Sequence, residues 1–186
     1  MYIEDIFTKL PTLETEHLTL RKLREADLAD LFAYASDPEV AKYVTWPVHK
    51  SVEDSKAYLR FVLSQYDLGK LAPWGITEKH SNTLIGTIDF VSWNVAQHSA
   101  EIGYVLSRSH WGKGIVTEAA QALLDFGFHH MSLQRIQARC LLQNIGSSRV
   151  MEKIGMQFEG VARSSIFVDE QFHDLKIYAI TKEDFL

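Results

Sequence analysis

A chain of 186 residues, 46% hydrophobic and 23% charged, can bury one sizeable core and has the balance of a soluble globular protein, so a single domain over 1–186 is expected. Its net charge of −5 argues against nucleic acid as a partner, because phosphate backbones are held by clustered Lys and Arg; it suits a cationic partner instead. The start, Met1-Tyr2-Ile3-Glu4-Asp5-Ile6, is acidic where a signal peptide needs positive charge, no apolar run approaches a membrane span, and the lone Cys140 cannot form an internal disulfide, which together predict a cytoplasmic protein with no membrane partner.

In chain order, residues 17–23 alternate like a half-buried strand, and Glu25-Ala26-Asp27 opens an amphipathic helix with Leu28, Leu31, Phe32 and Ala35 on one face. Asp37-Pro38 restarts a short helix through Val40, Ala41 and Val44. Ser51, with Asp54 three residues on, predicts a capped helix over 52–65, stopped by Gly69. Residues 71–78, 83–91 and 100–106 predict three antiparallel strands joined by polar turns. A long helix follows over 116–131, carrying Val116, Ala119, Ala120, Leu123, Leu124 and Phe128 at helical spacing. Residues 136–142 predict a strand with Cys140 as a buried thiol, 147–154 a helix ending at Gly155, and 158–168 with 172–180 a hairpin around Asp169-Glu170. Trp74 and Trp93 sit in core-forming runs, whereas Trp46, beside Pro47 in a loop, is a candidate to face a site and touch substrate. The eight histidines have no ligand spacing, and the adjacent His129 and His130 point about 100° apart on a helix, so no metal is expected.

The run from Ser109 to Ala120 organises the rest. Gly112 and Gly114 fall between a strand and a helix start, where backbone N–H groups lack internal partners and the helix dipole is positive, so the run can cradle an anion such as a pyrophosphate. There is no GxxxxGK[ST], which excludes a P-loop, and no third glycine, which excludes a Rossmann fingerprint.

Three ordered segments, Ala100-Glu101-Ile102-Gly103-Tyr104-Val105-Leu106, Trp111-Gly112-Lys113-Gly114-Ile115-Val116-Thr117-Glu118-Ala119 and Asn144-Ile145-Gly146-Ser147-Ser148-Arg149-Val150-Met151-Glu152-Lys153-Ile154-Gly155, resemble signatures of the GNAT N-acetyltransferase superfamily. The second is similar to its acetyl-CoA pyrophosphate loop, and the third to a pattern of its RimJ/RimL group, which acetylates N-terminal amines of ribosomal proteins. The resemblance runs from about Leu13 to Thr181. It implies an α/β (α+β) GNAT acyltransferase fold, a central mixed and mostly antiparallel twisted sheet flanked by helices, with the early helices walling the acceptor pocket. It also implies acetyl-CoA as co-substrate, held by Trp111, Gly112, Lys113, Gly114, Ile115, Val116 and Thr117, by the strand backbone of Tyr104, Val105 and Leu106, and by Asn144. Val116 departs from the family's Gly or Ala and leaves the loop less open. Met151 stands where many members carry a tyrosine acid, so that role does not carry over.

Acetyl transfer needs a neutral amine, a polarised thioester carbonyl and a proton for the leaving thiolate. By resemblance Glu101 is the candidate base, or else holds the cationic amine or forms a structural ion pair. Ser147 is the candidate acid toward the CoA sulfur, or else a helix-start hydroxyl satisfying backbone N–H groups. Neutralising a lysine at pH 7 costs roughly 4.6 kcal/mol and an α-amine about 1 kcal/mol. A weak base therefore favours a peptide or protein N-terminus as acceptor. Small amines such as polyamines or amino antibiotics remain open alternatives, as does a non-catalytic acyl-CoA sensor, and the assembly is a monomer or a homodimer.

Overall fold

The computed structural model describes residues 2–168 and 170–186; Asp169, half of the expected turn Asp169-Glu170, lies outside them. The elements are α1 (Ile3–Phe7), β1 (Leu13–Glu14), β2 (Leu18–Arg21), a 3₁₀ turn (Glu25–Asp27), α2 (Leu28–Ala35), α3 (Pro38–Ala41), α4 (Val52–Asp67), β3 (Trp74–Glu78), β4 (Leu84–Asn94) and β5 (Ser99–Leu106). A second 3₁₀ turn (Arg108–His110) leads to α5 (Ile115–His130), β6 (Arg135–Leu141), α6 (Ile145–Lys153), β7 (Gln157–Val168), β8 (Gln171–Thr181) and α7 (Lys182–Phe185). The strands form one sheet in the order β1-β2-β3-β4-β5-β6-β8-β7. Its pairs are antiparallel except β5 with β6, which are parallel, as the crossover through α5 requires.

Elements begin and end for local reasons. The strand expected over 71–78 starts only at Trp74, because Pro73 has no N–H to give a ladder. The helix expected from Glu25 opens as a 3₁₀ turn: Asp27 accepts from Arg24 N (2.7 Å) and forms a buried two-pronged pair with Arg21 (2.8 Å on each prong), which clamps the turn to β2. The expected 38–44 helix stops at Ala41. Helix α6 starts earlier than expected, at Ile145, because Asn144 is its cap.

Helix α1, which the sequence pattern did not announce, exists to deliver Phe7. That ring is fully buried edge-on against Trp74 at 5.8 Å, and Trp74 in turn meets Phe90 (6.3 Å) and Phe126 of α5 (5.8 Å). Aromatic clusters of this kind bury large area and fix orientation. Alternation along β4 sends Ile88 and Phe90 into this core, while Thr87 and Asp89 face α2 and α4, where Thr87 meets the hydroxyls of Tyr34 and Tyr58. Val91 is an extra residue in β4 opposite the step from Glu101 to Ile102. Such a bulge re-aims the side chains around it.

Candidate active site

Strands β5 and β6 separate halfway along. Residues 99–102 pair with 135–138, and beyond Ile102 the ladder stops. Tyr104, Val105 and Leu106 stay paired to β4 on one side, and their other side opens on a cleft of about 490 Å³. Free backbone donors and acceptors inside a sheet can take an extended ligand arm as an added strand.

One end of the cleft is the glycine loop. The Trp111 indole donates to Leu106 O (2.8 Å) and fastens the loop to the end of β5. Gly112 and Gly114 have φ of 73° and 78°, the left-handed region that favours glycine, and an added Cβ at either would meet nothing within 4 Å. The glycines are thus required by backbone conformation rather than crowding, and the space before them stays open. Gly114 caps α5 without a side chain, so the N–H groups of Ile115, Val116 and Thr117 face the cleft with neither an intrahelical partner nor a side-chain cap. An anion bound there would meet three donors and the positive end of a 16-residue helix. Lys113 is exposed and does not line the cleft. Glu118, also in the first turn, is drawn away by Thr15 and by His17 N (2.8 Å). Burial works to raise its pKa, yet these hydrogen bonds more than offset it, so the carboxylate stays ionised and ties α5 to the β1–β2 turn.

Helix α6 forms the facing wall. Asn144 Oδ1 accepts from Ser147 N (3.0 Å), so Asn144 is the cap and Ser147 is free of that duty. The Ser147 hydroxyl instead lies 2.7 Å from the Tyr104 hydroxyl. Burial pushes the Tyr104 phenol well above its ordinary range, only partly countered by Ser147, so it is protonated at neutral pH and can donate. Both residues line the cleft at the split. Met151, at the position of the family's tyrosine, is fully buried core. Sequence reasoning used Tyr104 only for its backbone; the alternation of Ile102, Tyr104 and Leu106 toward α6 was the signal for its side chain. It also missed Arg149 and Lys153, an i, i+4 pair on the cleft-facing side of α6 that places two cations on the cleft wall.

Beyond the split, a small cavity of about 100 Å³ is lined by Tyr43, Val44, Thr45, Glu101, Arg139 and Cys140, among others, and Tyr43 and Val44 line the main cleft as well. Glu101 is not a free carboxylate: it accepts from Arg139 Nε (2.8 Å) and Gln137 Nε2 (2.9 Å). Trp46 meets His49 in a tilted contact at 5.3 Å and packs on the core; its neighbours 43–45, rather than Trp46 itself, reach the cavity lining. Burial raises the Cys140 thiol, which removes thiolate character.

Residues 17–157 match the acetyltransferase (GNAT) domain family. The uncharacterized N-acetyltransferase YnaD of Bacillus subtilis is 36% identical over 172 residues, 92% of this chain and 98% of the relative. The ribosomal-protein-serine acetyltransferase of Escherichia coli is 29% identical over 137 residues, 73% of this chain and 75% of that protein. A crystal structure of a GNAT-family acetyltransferase from Bacillus anthracis superposes with a TM-score of 0.83 at 34% identity, covering 93% of this chain and 99% of that one. An interrupted sheet beside an uncapped helix start, and a family match across most of the chain, lead to one conclusion: the chain belongs to the GNAT acetyltransferases.

Proposed function

We propose that this chain transfers acetyl directly from acetyl-CoA to the α-amine of a protein or peptide N-terminus. The observation that carries the reading is the uncapped start of α5 opening onto the split between β5 and β6. The pyrophosphate takes the N–H groups of residues 115–117, with Arg149 and Lys153 nearby as counter-charges, and the pantetheine arm runs along Tyr104, Val105 and Leu106 with the Asn144 amide as a further donor. A backbone N–H of β5 polarises the thioester carbonyl, and the Ser147–Tyr104 pair protonates the departing thiolate. The acceptor enters from the side of Tyr43, Val44 and Thr45. An α-amine is favoured because its deprotonation at pH 7 costs only about 1 kcal/mol, and because a relative acetylates a ribosomal protein. Thiol release should be measured with peptides bearing free N-termini, the same peptides blocked but carrying lysine, and spermidine. A higher kcat/KM for free N-termini supports the reading. A higher value for spermidine or blocked lysine peptides overturns the acceptor while leaving acetyl transfer standing.

A further inference from the structure

The β7–β8 hairpin carries an irregularity beside the small cavity. Ala162 pairs with Leu175 and Ile166 with His173, so Arg163, Ser164 and Ser165 of β7 stand against Asp174 alone. The excess is held in place. Ser164 takes a left-handed φ of 47°, and its N–H donates to Asp174 Oδ1 at 2.8 Å. A residue other than glycine persists in that conformation only where its surroundings hold it. Bulges re-aim the side chains around them. Beyond this one Ile166 and Val168 are half-buried, while Ser165 and Phe167 are exposed. Ile166 and Val168, with Leu175 of β8, give the cavity of about 100 Å³ an aliphatic wall.

Resting on the acetyl-transfer reading above, we propose that this cavity receives the first side chain of the acceptor and that the β7 bulge sets its depth. The enzyme then selects N-termini whose first residue is small, aliphatic and uncharged, with valine near the optimum. Asp174 is a positioning residue that acts through the bulge.

Place, size and charge each support this. Cys140 and Leu141 of the lining lie just beyond Ala138, the last residue of β6 paired to β5, so the cavity adjoins the split. Tyr43 and Val44 line both the cavity and the main cleft, so one acceptor residue can place its amine in the cleft and its side chain in the cavity. At about 30 Å³ per water, the space holds about three waters or a side chain of about three carbons. An aromatic ring exceeds it. The charges on the wall answer each other: Glu101 accepts from Arg139 Nε (2.8 Å) and from Gln137 Nε2 (2.9 Å). A charged side chain would therefore exchange water for aliphatic carbon with no unmatched counter-charge, which is costly.

The test is thiol release from acetyl-CoA with short peptides that differ only at a free first residue: Gly, Ala, Val, Phe or Lys. Filling an apolar pocket is worth about tenfold or more per methylene, so kcat/KM should climb at least about tenfold from Gly to Val. It should fall about 100-fold from Val to Phe and to Lys, the first by overpacking and the second by desolvation. Ile166→Ala deepens the cavity and should raise the Phe-to-Val ratio about tenfold or more. Asp174→Ala releases the bulge and should flatten the profile, whereas Asp174→Asn, which keeps an oxygen for the Ser164 N–H, should retain it. These ratios are taken within each variant, so a partial loss of folded protein cancels. A merely structural role for Asp174 would lower all peptides by one factor. A flat wild-type profile, a Phe-to-Val ratio unmoved by Ile166→Ala, or an Asp174→Ala variant that scales all peptides alike would overturn the proposal while peptide acetylation stands. Spermidine turning over faster than every peptide would overturn the acceptor reading alone, because the ratios among peptides still decide the pocket. No turnover of any peptide would overturn both.

Discussion

Helices α4 and α5 are both 16 residues long and begin in opposite ways. At the start of α4 the Asp54 carboxylate accepts from Lys50 N and Ser51 N, each at 2.9 Å, and from the Ser51 hydroxyl at 3.2 Å. At the start of α5 stands Gly114, with a left-handed φ and no side chain to cap anything. A cap on an exposed helix start contributes on the order of 1 kcal/mol to stability. The second helix forgoes that contribution and keeps three backbone donors pointed into a cleft. The difference separates a helix start closed by its own side chains from one left open on the cleft, and helix α6 shows both arrangements side by side: Asn144 caps, while Ser147, one turn on, faces Tyr104.

The comparison breaks most visibly if α5 is given a cap. Gly114→Asp places a carboxylate where a pyrophosphate would sit, in a conformation that Asp tolerates better than most residues. Hydrogen bonds to charged groups are worth about 1.5–3 kcal/mol, so losing one to a competing carboxylate should weaken CoA binding about 100-fold by calorimetry. Gly114→Ala adds the φ penalty without the charge and should weaken binding far less. Equal losses in the two variants would mean that backbone strain, not anion competition, governs the loop.

Ser147→Ala is expected to have the next largest effect. Help to a leaving thiolate appears only in the transition state, so kcat should fall about tenfold or more while the KM for acetyl-CoA moves little. A cap would behave differently: loss in melting temperature with kcat intact would return Ser147 to a structural role and leave Tyr104 without its partner.

How far these sites were legible follows from the range of the interactions. The glycine loop, the long helix behind it and the capping of α4 by Ser51 and Asp54 could be read because each is a pattern within a few residues. The division of labour in α6 was not, because Asn144 and Ser147 are both reasonable caps and only the bond to Tyr104, 43 residues away, separates them. The pairing of Glu101 with Arg139 and Gln137 depends on the β5–β6 register, which alternation along one strand cannot supply. Helix α1 was missed because its five residues carry one buried side chain, and tertiary packing on Trp74 overrides weak local preference.

The smallest effect sharpens the α4 side of the comparison. Hydrogen bonds from the Ser51 backbone, first, and the Lys50 backbone hold the Asp54 carboxyl below its ordinary range. A carboxyl lowered in the folded state stabilises the fold when ionised, fully above its unfolded pKa of about 3.9, and the contribution is lost as pH falls through the folded value. Asp54→Asn keeps an oxygen acceptor and removes only the charge. Its melting temperature should therefore lie slightly below wild type at pH 7, with the gap closing as the pH is brought below about 4. CoA affinity should not change at any pH, because this helix start contributes nothing to the cleft lining. A gap that persists at low pH would assign the loss to hydrogen-bond geometry rather than charge. A change in CoA affinity would show that the start of α4 is coupled to the cleft through His49 and Trp46, and the separation between the two kinds of helix start would no longer hold.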